Sequence, residues 1–352
     1  MTAADGRSRF LVISPQGLGD SLEATPLVRA LRHAYPAAII EVAVTRDGPR
    51  LLFESLAGYV DAVHYLPYWE RGPAAFLLAL ARKRLQSRNY DASFLAYPSA
   101  RPAYEVLSAG FASKKRYAHR HDPRMLFDLP FFRATLVPVR PVHNVERNRD
   151  LLRAAGIAPD TEHSYLVPPS WIRGERVPGR IAMHVGTIAH SELANRRWPL
   201  ENFTELAKRL VHEHPEVTLI VGPAEREESG ILAQAVPEIK TFEGPLPEVA
   251  RFLSTCAAVV ANDSGIAHLA AGVGARTIAL FGPTPIDFGP FSPDAIALRP
   301  TDCPPCFDVR KPVVRCVRNL DYKCLKADLT VDLVEQTLRD AVTRAAAHTA
   351  AI

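Results

Sequence analysis

Short runs of consecutive apolar residues recur along the chain, each leading into a turn and then a helix-spaced segment. In the first half they are Phe10–Ile13, Ile39–Val44, Ala62–Leu66 and Ala92–Ala96; in the second, Arg180–Val185, Val217–Val221, Thr241–Gly244, Ala257–Val260 and Thr277–Phe281. Runs of four to six such residues, bounded by turn signals, predict buried strands. Between them, Leu22, Leu27, Val28, Ala30 and Leu31 fall at helical spacing, and the helix should stop near Tyr35-Pro36. Further helices are predicted over Ala74–Leu85, over the polar stretch Val142–Leu152 ending at Gly156, around Phe203, Leu206, Ala207 and Leu210, and over Pro247–Cys256. From residue 97 to about Pro138 the pattern is mixed and assigns no element.

Strand, helix, strand in regular succession predicts βαβ units and an α/β protein. The rhythm breaks once, at Pro159–Pro178, where prolines and Gly174 suit a linker, and then restarts. The expected organisation is a first domain over residues 1–165, a linker over 166–178, and a second domain over 179–352 that closes with a helix. Two domains of similar size make a clamshell with one substrate on each side of a cleft.

Composition narrows this little. A chain of 352 residues with 47% hydrophobic and 23% charged residues is an ordinary globular protein, natural in two domains. Apolar runs fall short of the 18 or so residues that a membrane-spanning helix needs, and the first residues lack a signal-peptide pattern, so the expected location is the cytoplasm. Charge changes the picture more. The net charge is +4, yet residues 1–170 hold 22 Lys and Arg against 16 Asp and Glu, and the remainder 20 against 22. The basic excess therefore belongs to the first half, densest at Arg82–Arg88 and at Lys114, Lys115, Arg116 and Arg120. It reads either as solvated surface or as a face for an anionic partner.

Two turns carry candidate chemistry. Asn262-Asp263-Ser264-Gly265 follows a strand and opens a helix, where unpaired N–H groups and the helix dipole readily receive a diphosphate; the alternative is an ordinary helix cap. Gly17-Leu18-Gly19-Asp20 follows the first strand. It lacks the third glycine of the dinucleotide motif and the Lys-Ser/Thr of the P-loop. Asp20 would lie at the mouth of the sheet, where it could act as a general base or simply cap a helix beginning at Ser21.

Together these stretches resemble the ADP-heptose:lipopolysaccharide heptosyltransferases of glycosyltransferase family 9. The resemblance rests on Gly17-Leu18-Gly19-Asp20 with Thr25-Pro26, Arg29, Leu31 and Tyr35-Pro36, on Arg196-Arg197-Trp198-Pro199, on Val221-Gly222-Pro223, and on Asn262–His268 followed by Leu280–Thr284. It spans about residues 10 to 345. It implies a GT-B fold, two Rossmann-like domains facing a central cleft, with the acceptor on the first and the nucleotide sugar on the second. It also implies an inverting, metal-independent transfer in which Asp20 deprotonates the acceptor hydroxyl and Arg196 neutralises the diphosphate. Thr187, Gly222, Asp263, Ser264, Gly265 and His268 would bind the donor, Asp263 through sugar hydroxyls. Gly17, Gly19, Lys114, Lys115, Arg116 and Arg120 would meet the acceptor. The implied partners are ADP-heptose and an anionic glycolipid reached by peripheral contact with the inner membrane, with no nucleic acid. No catalytic cofactor is implied.

Four of the five cysteines form Cys303-Pro-Pro-Cys306, Cys316 and Cys324 within the loop 303–324. Four thiols in a short loop suit a structural zinc or iron site; reduced thiols are the main alternative, since a cytoplasmic setting disfavours disulfides. By the resemblance, some protein-modifying relatives hold iron in this way. Cys256 reads as core, His184 as a satisfied core histidine, and Trp198 either as a platform for a base or as packing at a helix start.

Overall fold

In a computed structural model of the chain, residues 7–67, 89–187, 196–214, 216–310 and 316–349 are described, together with Gly72, Leu77, Leu78 and Leu80. The chain divides into two units, Met1–Pro168 and Pro169–Ile352.

The first unit is built on β1 (Arg9–Ser14), α1 (Leu18–Ala34), β2 (Ile39–Val44), α2 (Asp47–Glu54), β3 (Ala62–Tyr65), β4 (Tyr90–Leu95), α3 (Pro102–Gly110), β5 (Ser113–Arg120), β6 (Thr135–Pro138) and α4 (Asn144–Ala154). Its six strands are parallel, in the order β3-β2-β1-β4-β5-β6. Every residue of β1 is buried, as a strand covered on both faces requires. Phe10, Val12, Leu27, Leu31 and Phe94 pack in the core on one face of the sheet; Leu11, Ile13, Leu95 and Phe111 pack on the other.

Helix α1 begins at Leu18, three residues before the expected start, and passes through Pro26 without ending. Proline removes the N–H that would serve the Leu22 carbonyl. Thr25 Oγ1 donates to that carbonyl at 2.7 Å, which supplies the missing bond from the residue next door. The mixed stretch after residue 97 holds α3, β5 and β6. The basic run is itself strand β5, anchored by buried Tyr117, Ala118 and His119. The helix expected over Ala74–Leu85 lies mostly outside the described residues.

The stretch read as a linker has structure. Arg29 bridges Asp160 at 2.8 Å, Arg149 reaches the same carboxylate at 2.7 Å, and Leu166 N–H donates to Thr25 Oγ1. Pro169–Trp171 form a 3-10 turn whose Trp171 is buried in the second unit.

The second unit holds β7 (Val177–His184), α5 (Leu200–Glu213), β8 (Glu216–Ile220), α6 (Arg226–Ala235), β9 (Lys240–Phe242), α7 (Leu246–Ser254), β10 (Cys256–Asn262), α8 (Gly265–Gly272), β11 (Arg276–Leu280), β12 (Ala295–Leu298), α9 (Lys323–Lys326) and α10 (Val331–Thr349). Its parallel sheet runs β12-β11-β10-β7-β8-β9, the same winding as the first. In each unit the order reverses beside the first strand: between β1 and β4, and between β7 and β10. Open α/β sheets bind ligands past the carboxyl ends of the strands at such a reversal.

Candidate active site

In the second unit the reversal brings together the loops after β7, β8, β10 and β11. Asn262, the last residue of β10, ties two of them to the Trp198 segment. Its fully buried amide accepts from Trp198 N–H at 2.8 Å and donates to the Val185 carbonyl at 2.7 Å. The next residues turn into α8, whose cap is Ser264, with Oγ accepting from Ala267 N–H. The first N–H groups of α8 lie at the carboxyl end of β10, where a helix start can receive an anion.

Arg196 lies at this turn. Its guanidinium stands 3.6 Å from Asp263 Oδ2 and 4.0 Å above the centre of the Phe307 ring. Burial pushes the Asp263 carboxyl above its ordinary value, opposed by the Arg196 charge and the Thr284 hydroxyl. The Thr187 hydroxyl is buried with no hydrogen-bond partner among the described residues. His268 is buried in α8, and its N–H donates to the Ser264 carbonyl. Arg196, Asp263, Ser264, Gly265 and His268 thus share one turn. The loop 188–195, which leads into Arg196, lies outside the described residues.

Gly222, expected to bind the donor, is packed against Glu225. A side chain there would come within 2.5 Å of Glu225 Oε1, and one at Gly186 within 2.5 Å of Glu225 Cδ. The Glu225 carboxyl fills the space between the two glycines and accepts from His184 Nε2 at 2.7 Å. Burial works to raise the Glu225 carboxyl, but the hydrogen bond and charge of His184, with Arg197, hold it below its ordinary value. His184 Nδ1 faces Ser264 Oγ at 3.5 Å. His184 is satisfied, as its place in an apolar strand suggested, but its partners lie at the crevice. Glu225 follows the second strand of this unit, the position from which an acidic residue meets a ribose hydroxyl in the doubly wound fold. Sequence reasoning passed over it; an acidic residue just after Gly222-Pro223 was the available signal. Trp198 is core, its Nε1–H bonded to the Leu329 carbonyl and its ring edge-on to Phe203, so it is no platform for a base.

In the first unit, Asp20 sits in the first turn of α1, past the end of β1. Gly17 N–H donates to Asp20 Oδ2 at 3.2 Å, so the carboxylate helps to cap the helix while remaining half-buried. Its loop is pinned: Gln16 Nε2 donates to the Pro98 carbonyl, Tyr104 Oη–H to Gln16 Oε1, and Thr45 Oγ1–H to the Pro15 carbonyl. Gly17 has an ordinary extended backbone and room for a side chain, so no close approach demands a glycine there. Gly19 is buried within the turn.

The basic residues do not join Asp20. Lys115 pairs in register with Ala92, and Ala92 with Phe10, which puts Lys114, Lys115 and Arg116 at the amino ends of the strands, opposite the end that carries Asp20. Lys114 pairs with Asp91 at 2.5 Å, and Arg116 donates to the Phe111 carbonyl. Arg120 does lie at the carboxyl end of β5, but is paired with Asp128. Beside it a cavity of about 330 Å³ is lined by Glu105, His121, Arg124, Met125, Leu126 and Leu129.

The four cysteines, expected as a structural zinc or iron site, lie in one neighbourhood of the second unit. Cys303 and Cys324 are buried in the core of the second unit, the Cys324 thiol against Cys303, while Cys306 and Cys316 are half-buried. Among the described residues no three His, Cys, Asp or Glu side chains are arranged to hold a metal ion. Those residues also include no helix long and apolar enough to cross a membrane.

Two units, each a doubly wound six-stranded parallel sheet, match the GT-B glycosyltransferase fold. The E. coli heptosyltransferase WaaC with ADP matches it with a TM-score of 0.70 and 19% identity, over 95% of this chain and 99% of that one. The bacterial iron-containing dodecameric glycosyltransferase TibC from enterotoxigenic E. coli matches with a TM-score of 0.56 and 12% identity, over 96% and 77%. In sequence, lipopolysaccharide heptosyltransferase 2 of E. coli K12 is 27% identical over 311 residues, 80% of this chain and 85% of the relative. Residues 78–315 match glycosyltransferase family 9 (heptosyltransferase), and the chain belongs to that family of enzymes.

Proposed function

We propose that this glycosyltransferase moves heptose from ADP-heptose to an anionic lipopolysaccharide-type acceptor, with inversion at the anomeric carbon. The observation that carries the reading is the turn of the second unit, where Arg196 stands beside Asp263 at the amino end of α8, and His184 links Ser264 of that turn to buried Glu225. A nucleoside diphosphate sugar offers the matching groups: ribose hydroxyls for Glu225, phosphates for Arg196 and the helix N–H groups, sugar hydroxyls for Asp263.

In such a transfer the acceptor oxygen attacks as the bond to the diphosphate lengthens. Positive charge grows on the sugar and negative charge on the departing phosphate. Asp20 takes the acceptor proton; Arg196 and the α8 N–H groups stabilise the leaving ADP, and no cofactor is required. Donor selectivity for ADP over other nucleotides, and for heptose among sugars, is supported by the relatives' names: one related solved structure is WaaC with ADP-2-deoxy-2-fluoro heptose. On the acceptor side, the cavity lined by His121 and Arg124, by the acidic Glu105 and Asp122, and by apolar Met125, Leu126 and Leu129 has both polar and apolar groups for a sugar carried on a lipid. Such an acceptor brings the protein to the cytoplasmic face of the membrane as a peripheral visitor.

The test is a panel of ADP-heptose, UDP-, GDP- and dTDP-sugars, with binding by calorimetry and transfer to a lipopolysaccharide core acceptor. ADP-heptose should bind selectively, and Arg196→Ala should weaken it. Asp20→Asn, which retains an oxygen to cap α1, should leave donor affinity unchanged and slow transfer by roughly 10²-fold or more. Preference for another nucleotide removes heptose from the reading; unchanged transfer by Asp20→Asn removes the base.

A further inference from the structure

The cysteine-bearing loop is bonded to the turn after β11, the strand next to the one that leads into α8. Cys306 N–H and Phe307 N–H both donate to the Pro283 carbonyl, at 2.9 and 3.0 Å. Arg299 Nε donates to the Gly282 carbonyl at 3.2 Å, and its Nη2 to the Cys303 carbonyl. Leu325 fills the space over Gly282, where a side chain would come within 2.5 Å of it. Cys303 and Cys324 root both ends of the loop in the core. The loop is therefore fastened to the turn after β11, the turn that carries Thr284 beside Asp263.

What the loop delivers there is Phe307. Its ring lies face-on beneath the Arg196 guanidinium at 4.0 Å and is met edge-on by Phe288 at 5.7 Å. Arg196 is largely buried, with its side chain 14% exposed, and its carboxylate neighbour is Asp263, at 3.6 Å. At that distance the ion pair is loose, and the other surface against which the guanidinium rests is the aromatic face. A guanidinium seated over a ring still has N–H groups to give to oxygen ligands such as a phosphate.

We propose that Phe307 is a positioning residue for Arg196, and that the segment 303–307, bonded to Pro283, belongs to the nucleotide-diphosphate site. The proposal rests on the reading of the second unit as the donor site. It gives the loop a role that needs no metal: the buried thiols Cys303 and Cys324 pack the ends of a segment whose working part is an aromatic ring.

The test is a double-substitution cycle read by calorimetric ADP affinity on the full chain, with thermal unfolding recorded for each variant. Phe307→Leu should weaken ADP roughly tenfold at an unchanged melting temperature, and Phe307→Trp should retain wild-type affinity. In an Arg196→Ala background, Phe307→Leu should have no further effect. Wild-type affinity in Phe307→Leu, or a loss that simply adds to that of Arg196→Ala, overturns the proposal. Should Phe307→Leu also lower the melting temperature, the cycle still decides between coupling and additivity. If Arg196→Ala itself leaves ADP affinity untouched, the donor reading of Arg196 fails, and this proposal with it. If Arg196→Ala weakens ADP and Phe307→Leu does not, only this proposal fails.

Discussion

Replacing His184 by leucine removes the hydrogen-bond donor at 2.7 Å from Glu225 Oε1 and leaves the carboxyl between Gly186 and Gly222, in a residue only 5% exposed. Removing one partner of a buried pair costs about 3–5 kcal/mol, because the charge that remains is uncompensated. Glu225 can escape part of this by taking up a proton. Against an unfolded value of about 4.3, doing so at pH 7 costs roughly 3.7 kcal/mol at 1.36 kcal/mol per pH unit. The expected loss is therefore about 3 kcal/mol at pH 7, or roughly 6–12 °C in the melting temperature of a unit of this size.

The pH dependence has a definite sign. In the wild type the Glu225 carboxyl is held below its ordinary value, so its stabilisation is present above the unfolded value and is lost as pH falls through the folded one. The gap between wild type and His184→Leu should be widest near neutrality and shrink toward pH 4. Adding Glu225→Gln to His184→Leu should recover at least half of the loss, since no charge is then buried. Thermal unfolding from pH 4 to 8 measures all three. A loss under about 1 kcal/mol, or one equal at pH 4 and pH 7, refutes the reasoning.

Trp198→Ala should cost about 3–5 kcal/mol in denaturant unfolding, because the indole is fully buried and its N–H serves the Leu329 carbonyl; a loss under about 1 kcal/mol would show that the core closes over the gap. Lys115→Ala should leave the KM for acceptor within about twofold of wild type, since Lys115 lies at the amino end of β5, away from Asp20; a larger rise would mean that acceptor reaches the opposite edge of the sheet.

Much of the fold was legible because buried parallel strands are written as unbroken apolar runs. Phe10–Ile13, Val217–Val221 and Ala257–Val260 could hardly be anything else, and the alternation of strand and helix carried the α/β class. Strand β5 was hidden for the converse reason: Ser113–Arg116 at its exposed end carries charge, and only Tyr117–His119 face the core. Helix α1 was legible in its apolar spacing but not in its start. The spacing begins at Leu22, and no hydrophobic signal reports the first turn in which Asp20 accepts from Gly17.

The local chemistry of the site was likewise in the chain order: Ser264 before a helix, Arg196 before Trp198-Pro199, Asp20 after the first strand. Tertiary structure alone decided which side chains share a space. Register along parallel strands moved Lys114, Lys115 and Arg116 to the far end of their sheet, because every strand of a parallel sheet presents its carboxyl end on the same side. Pairing of β7 with β10 set His184 against Ser264 across 80 residues, and its pairing with β8 on the other side set it against Glu225 across 41. Packing of Cys306 and Phe307 on Pro283 placed the Phe307 ring beneath Arg196, and burial of Cys303 and Cys324 in the core anchored the segment. Sequence determines what a residue can do with its immediate neighbours, through propensity, capping and charge. Partners brought together by the folding of distant segments depend on where strands align and loops pack, and only the assembled unit specifies that.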